Sequence, residues 1–303
     1  MRRLSIGRIG VAWRITNILA LVRGGGTITT LCNTERLFGM KYGLFILALL
    51  LTVPGIIKKV EAQESFADAF WQYRASTGFD ASSGYYGGKE STSVLYVPAT
   101  FQATKGAWTV RSVFSYLEVS GPALLIDGSS TGESLGVRTS GKAKGPGDIN
   151  FYTTYSLESL YDRGLFIDFT GRAKAPTASF KKGLGTKAWD FAIQMDVAQA
   201  VGQFVPFITL GYKFSGDPTG FSLRNVLYGN AGLQYTLDNT FTFGAYYDMR
   251  QSSIRGAVKP QEGTAYINLR LNDDWSLLAY GVKGFSNNSP TAGGGLSLTY
   301  KWR

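Results

Sequence analysis

Any chemistry in this chain has to be done without imidazole. There is no histidine among its 303 residues, and the single cysteine, Cys32, lies near the N-terminus. Activating a serine or a water by a general base, thiol chemistry and the common His/Cys metal sites all lose their usual residue. What remains are carboxylates, guanidiniums and phenols, and they recur at alternate positions: Asp190, Gln194 and Asp196; Thr242, Tyr246, Asp248 and Arg250; Asp148, Asn150, Tyr152 and Thr154. Arg111, Asp168, Arg172, Asn268 and Arg270 fall on further segments of the same kind. Arginines and aspartates so spaced can form a charged ladder that selects a polar solute. They can equally pair with one another to fill a narrow interior, which is the commoner use of any single one. Tyr152, Tyr228, Tyr246 and Tyr266 can stack on an aromatic solute or simply pack. A Ser–Lys or carboxylate pair could replace histidine in a hydrolase, but no spacing singles one out, so no catalytic, metal or cofactor site is expected.

The elements that carry these residues are strands. Leu165 to Arg172 and Thr240 to Asp248 alternate apolar and polar side chains over eight or nine residues. A period of two gives a strand two chemically different faces. Strands are expected at about 69–79, 92–103, 107–119, 147–158, 164–174, 187–198, 202–214, 223–237, 240–250, 263–271, 274–285 and 292–302. Their connections alternate in length. Short ones at 104–106, 159–163, 199–201, 238–239 and 272–273 carry the Gly, Asp and Asn of tight turns. Longer ones span about 80–91, 120–146, 175–186, 215–222, 251–262 and 286–291.

Two-faced strands with short turns at one end and long loops at the other are the pattern of an outer-membrane barrel. The expected fold is therefore all-β: an antiparallel up-and-down transmembrane β-barrel of about 12 strands, with both termini at the periplasmic end. A secreted β-sandwich has no reason to sort its connections this way. Trp189, Phe191, Ile193, Met195 and Val197 should face lipid, as should Phe241, Phe243, Ala245, Tyr247 and Met249, and Ile149, Phe151, Thr153, Tyr155 and Leu157. The polar sets named above must then face the interior. The candidate lumen residues are Arg111, Tyr152, Asp168, Arg172, Asp190, Asp196, Tyr228, Tyr246, Asp248, Arg250, Tyr266 and Arg270. Twelve strands fall between small filled barrels and open porins, so the lumen should be narrow.

An export signal precedes the strands. Met40-Lys41, the apolar run Leu44 to Leu51 and Val60-Glu61-Ala62 read as a signal peptide over 40–62, cleaved after Ala62. Its apolar core of about a dozen residues is shorter than the roughly 20 a membrane helix needs, and Pro54-Gly55 breaks it. Residues 1–39 hold six Arg and a single acid, Glu35. An upstream start codon assigned in error explains them most simply; Arg2-Arg3 lacks the clean apolar run of a twin-arginine signal. Residues 63–303 are the expected barrel. Of 31 basic and 21 acidic residues, 9 and 2 precede residue 63, so the net charge falls from +10 to +3. A nucleic-acid partner is not expected.

Two stretches add a resemblance. Gly145-Pro146-Gly147-Asp148-Ile149 leads into the fourth expected strand. Lys174-Ala175-Pro176-Thr177-Ala178-Ser179 is followed by Gly183-Leu184-Gly185-Thr186-Lys187 and Trp189-Asp190, and Gly211-Tyr212 fits the same pattern. In this order and spacing they resemble the family named for the meta-pathway of phenol degradation, over about residues 145–303. Lys187 stands where that family has Gly. The resemblance implies an outer-membrane transporter or narrow channel for small hydrophobic or aromatic compounds. The residues themselves leave open a closed structural or surface-binding barrel, or a histidine-free barrel enzyme. The last strand places Leu296, Leu298, Tyr300 and Trp302 on one face before Arg303. That resembles the C-terminal signal of the barrel-assembly machinery, which ends on the aromatic itself. Other expected partners are outer-membrane lipid, a small-molecule solute, and the phosphates of lipopolysaccharide at Lys142, Lys144, Lys181, Lys182 and Lys187.

Overall fold

The structure is a computed structural model, which describes residues 70–125, 134–137, 141–218 and 220–303. The expected upstream segment, the signal peptide with its cleavage site, and residues 63–69 lie outside the described residues. Twelve strands form one antiparallel ring: β1 (Gln72–Gly84), β2 (Thr92–Lys105), β3 (Trp108–Ser120), β4 (Ile149–Ser156), β5 (Leu165–Ala175), β6 (Asp190–Gln199), β7 (Phe204–Phe214), β8 (Val226–Thr236), β9 (Phe241–Arg250), β10 (Gln261–Arg270), β11 (Trp275–Gly284) and β12 (Ala292–Trp302). Each pairs with its neighbours in sequence, and β12 pairs with β1 to close the ring. Closure leaves no free edge, and every strand finds backbone partners on both sides, which a membrane interior demands.

The alternation seen in the sequence is the alternation of the wall. Along β9, Phe241, Phe243, Ala245, Tyr247 and Met249 are exposed, while Thr242, Tyr246, Asp248 and Arg250 are buried. Phe191, Ile193 and Met195 on β6 are exposed likewise, with Ala192, Asp196 and Ala198 inside. Large apolar side chains left outside all round a closed ring form a belt suited to lipid tails. Aromatic rings collect at the short-turn end. Trp71 stacks on Tyr73 at 6.5 Å, Tyr73 on Trp302 at 5.7 Å, Trp302 on Tyr300 at 5.6 Å, and Tyr300 meets Trp275 at 4.7 Å. Trp108 and Tyr155 lie 4.9 Å apart. This is the interfacial girdle, and it also staples the seam between β12 and β1.

Three boundaries differ from expectation. β1 runs to Gly84 rather than stopping near 79, although Asp80-Ala81-Ser82-Ser83-Gly84 has the composition of a turn. Pairing with both β2 and β12 overrides that composition, and Asp80 and Ser82 continue the inward alternation. The β4–β5 connection is a 3-10 helix, Glu158–Arg163, closed by Gly164 at φ 69°. Leu157, expected on the lipid face of a strand, caps that helix instead. Above β4, the segment Lys142–Pro146 continues the pairing with β3 after Gly147-Asp148 has bulged out of register. Tyr116 faces Pro146 whereas Val113 faces Asn150, so β4 gains a residue there.

Candidate functional site

The inner face is sorted into oblique stripes, because direct cross-strand partners on consecutive strands carry like side chains. On β5, stepping by two from the long-loop end, the inward residues are Lys174, Arg172, Thr170, Asp168 and Phe166. Each begins a different stripe. Barrel strands tilt by roughly 35–45°, so a line of partners climbs as it passes round the ring.

One stripe is acidic. Asp168 faces Asp196, Asp196 faces Thr209, Thr209 faces Asn230, Asn230 faces Asp248 and Asp248 faces Glu262. Local donors hold these carboxylates. Asp196 accepts from the Thr209 hydroxyl and the Gln194 amide. Arg250 sits 2.9 Å from Glu262 and 3.5 Å from Asp248. Buried charges paired this way satisfy one another.

Two apolar and aromatic lines lie beyond it. Phe166, Ala198, Phe207, Gly232 and Tyr246 are successive partners, and the line continues through Val282 and Ser82 to Val94, Val119 and Ala143. The parallel line runs Gln234, Gly244, Tyr266, Tyr280, Gly295, Asp80, Tyr96 and Leu117. These lines begin near the short turns, where Phe207 and Val205 pack with Tyr246 and Tyr266. They end under the long loops, where Val94, Leu117 and Val119 pack with Tyr86, Ala178 and Leu184.

Two inward tyrosines stand directly opposite glycines, Tyr266 opposite Gly244 and Tyr228 opposite Gly211. A Cβ on Gly244 would lie 2.2 Å from the Tyr266 ring, and one on Gly211 would lie 2.3 Å from the Tyr228 ring. Each ring therefore lies down over its glycine, against the wall, and narrows the bore by its thickness rather than its length. Tyr266 donates to Gln234 at 3.4 Å and Tyr228 to Gln194 at 3.1 Å. Tyr246 lies between Phe207 and Tyr266, with centroids 6.2 and 6.4 Å away.

Tyr152 has different neighbours. Its cross-strand partners are Arg111 and Arg172, whose guanidiniums lie 4.0 and 5.8 Å from its ring centroid. Arg172 also donates twice to Asn150 Oδ1, at 3.0 and 2.8 Å.

Asp190, expected in the lumen, works elsewhere. It joins Asp148, Lys174 and Thr186 in a knot under the long loops. Lys174 Nζ lies 2.7 Å from Asp190, 3.4 Å from Asp148 and 3.0 Å from the Thr186 hydroxyl, and its side chain is 0% exposed. Asp148 accepts from the Ala178 amide at 2.8 Å, and Asp190 from the Gly216 amide at 2.9 Å. Thr177 donates to the Gly147 carbonyl at 3.0 Å. Burial raises the Asp148 carboxyl above its ordinary range, opposed by Lys174 and the Ala178 amide. The stretches that carry the family resemblance therefore converge: they tie the β5–β6 and β7–β8 loops to the top of β4. Gly185 is needed there, since a Cβ would come within 2.8 Å of Asp148. Lys187 adopts φ 57°, the left-handed region where glycine is at ease.

Arg270 corrects the expected ladder at one rung. It sits at the short-turn mouth, half-exposed, paired with Asp273 at 2.7 Å in the following turn. Alternation alone missed Arg74, Phe207, Lys213, Glu262 and Tyr280, all inward. Their period-two positions were readable, but their place on a stripe depends on register. Among the loop lysines, Lys142 pairs with Glu118 at 3.6 Å and Lys182 reaches the Lys144 carbonyl at 3.3 Å; all five are exposed at the long-loop end. Among the described residues no group of three or more His, Cys, Asp or Glu side chains could hold a metal ion.

No family model matches the chain, and no curated protein matches it. Solved structures do match in fold. An outer membrane channel from Pseudomonas putida F1 superposes with a TM-score of 0.60 at 12% identity, covering 81% of this chain and 100% of that one. The NanC porin gives 0.49 at 9% identity over 76% and 99%. The CymD monoaromatic hydrocarbon channel gives 0.41 at 9% identity over 77% and 88%. The fold is thus the closed outer-membrane β-barrel of the Pseudomonas putida structure.

Proposed function

We propose that this chain is a channel of the Gram-negative outer membrane for small hydrophobic or aromatic compounds. The observation that carries the reading is the pair of apolar and aromatic lines inside the barrel. They run from Phe166 and Phe207 near the periplasmic turns to Val94, Val119 and Leu117 beneath the outer loops, interrupted by Thr264 and Ser82 on one line and by Asp80 on the other. Apolar side chains on the inner face of a membrane barrel have no lipid to meet. Inner lines rich in them offer an apolar solute a wall with few polar steps on the way. The motif residues gathered around Lys174 support membership of the meta-pathway family, whose implied role is the same. In this reading the exposed loop lysines would meet lipopolysaccharide phosphates as point charges.

A second reading has one observation in its favour. Tyr86, Leu117, Val119, Ala143, Ala178 and Leu184 form a packed cluster at the outer end, which suits a closed structural or surface-binding barrel as well as a gate.

One experiment separates them. Uptake of labelled toluene and of a small sugar is compared in porin-deficient Gram-negative cells with and without the chain. Faster entry of toluene alone supports the proposal. Faster entry of both makes the barrel a general narrow pore. Entry of neither, with a barrel that still shows heat-modifiable migration, favours the closed reading.

A further inference from the structure

Five cations stand on one register line. Lys301 faces Arg74, Arg74 faces Gln102, Gln102 faces Arg111, Arg111 faces Tyr152, Tyr152 faces Arg172, Arg172 faces Ala192 and Ala192 faces Lys213. No position on this line from Lys301 to Lys213 is a carboxylate. On β5, β6 and β7 the acidic line lies four residues away, a separation of about 13 Å, and the nearer Asp190, two residues from Ala192 on β6, is held by Lys174 at 2.7 Å. The basic line starts beside the periplasmic mouth, where Lys301 is two residues from the end of the chain. It finishes at Lys213, one residue short of the outer end of β7. Lys301 and Arg74 are direct partners on adjacent strands; from Arg74 onward a cation falls on every second strand (β1, β3, β5 and β7), so these are spaced by roughly 10 Å. That is about one Debye length in physiological salt, and a narrow low-dielectric bore focuses such fields further.

The line also has an aromatic counterpart across the bore. Arg111, Tyr152 and Arg172 occupy β3, β4 and β5, with Tyr152 near mid-strand. Tyr246 and Tyr266 occupy the middle of β9 and β10. In a ring of twelve strands, β4 and β10 are six apart, which puts them on opposite walls. A solute passing mid-barrel therefore meets guanidiniums on one side and two phenol rings on the other, that of Tyr266 lying over Gly244.

We infer that the lumen is a path for small aromatic anions: a carboxylate or sulfonate engages Arg111 and Arg172 while its ring lies against Tyr246 and Tyr266. This rests on the channel reading and narrows its substrate class. Charge-assisted bonds from guanidinium to carboxylate or sulfonate supply the polar half of the recognition. The apolar lines supply the other half.

The test uses two permanently charged probes that do not cross bare lipid: benzenesulfonate and benzyltrimethylammonium. Efflux of each from proteoliposomes holding the refolded barrel is measured at fixed ionic strength. The wild type is expected to pass the anion roughly tenfold faster than the cation. The double variant Arg111→Gln/Arg172→Gln should lose most of that preference. Arg111→Lys/Arg172→Lys, which keeps the charge, should retain it, and Lys213→Gln at the outer end should lower it in part. Equal rates for both probes in the wild type, or an unchanged preference in the Gln variant, overturn this inference and leave the hydrophobic-channel reading standing. A folded barrel that passes neither probe and gives cells no toluene uptake overturns both.

Discussion

Tyrosines inside this barrel do two different jobs, and the residue across the strand decides which. Tyr266 and Tyr228 face glycines and lie flat over them. Tyr152 faces Arg111 on one side and Arg172 on the other, and its ring is held between two cations. The difference extends to whole regions. The β7–β12 half carries the glycine-backed rings, an aromatic wall shaped by close approach that shares its strands with the ion cluster of Arg250, Asp248 and Glu262. Within the other half, β3 to β6 are polar, fixed by ion contacts that reach the knot around Lys174. A smooth wall lowers the barrier for an apolar ring, whereas a polar wall sets which charge may accompany it.

If that contrast holds, damage to the polar half should be the more severe. Lys174→Met leaves Asp148 and Asp190 buried without their cation and should cost about 3–5 kcal/mol. Unfolding in urea, followed by heat-modifiable migration, reads that loss; a change below about 1 kcal/mol would show that the knot is wet and not structural. In the aromatic half, Gly244→Val puts a side chain into the Tyr266 ring. It should cost about 1–3 kcal/mol through displacement of that ring, and toluene uptake should fall with it. Normal uptake and stability would mean that the Tyr266 ring does not pack over Gly244.

Smaller effects sharpen the comparison. Tyr152→Leu removes the face shared by two guanidiniums and should cost about 1–2 kcal/mol, measured by the same unfolding. Tyr152→Phe keeps the face and should be nearly silent. Lys187→Gly relieves a left-handed backbone and should stabilise the fold by up to about 1 kcal/mol. The last prediction concerns pH. Asp148 is raised in the folded state, so the native protein takes up that proton before the unfolded chain does. Its contribution to stability grows as the pH falls through the folded value, the reverse of an ordinary paired carboxylate. Asp148→Asn should therefore be at least as stable as the wild type at pH 8, with the difference closing on acidification. A difference that widens instead would show that Lys174 outweighs burial at this site.

Period-two alternation is a local property, so the sequence alone was enough to determine which residues face in and which face out. Phe241 to Met249 against Thr242 to Arg250 could be read from ten consecutive residues. Turn composition and loop length likewise revealed twelve strands and their polarity, missing mainly the extension of β1, where a turn-like Asp80 to Gly84 is held straight by two neighbours. The motif around Asp148, Lys174, Thr186 and Asp190 was visible as four pieces, but nothing local said that they meet. Register was out of reach for the same reason. Whether Arg172 faces Tyr152 or a residue two places along is set by pairing between strands and by the tilt that closes the ring. Both depend on residues far apart in the chain. Thus the charges and the tyrosines were legible one by one, and only the closed barrel sorted them into a basic line, an acidic line and an aromatic wall.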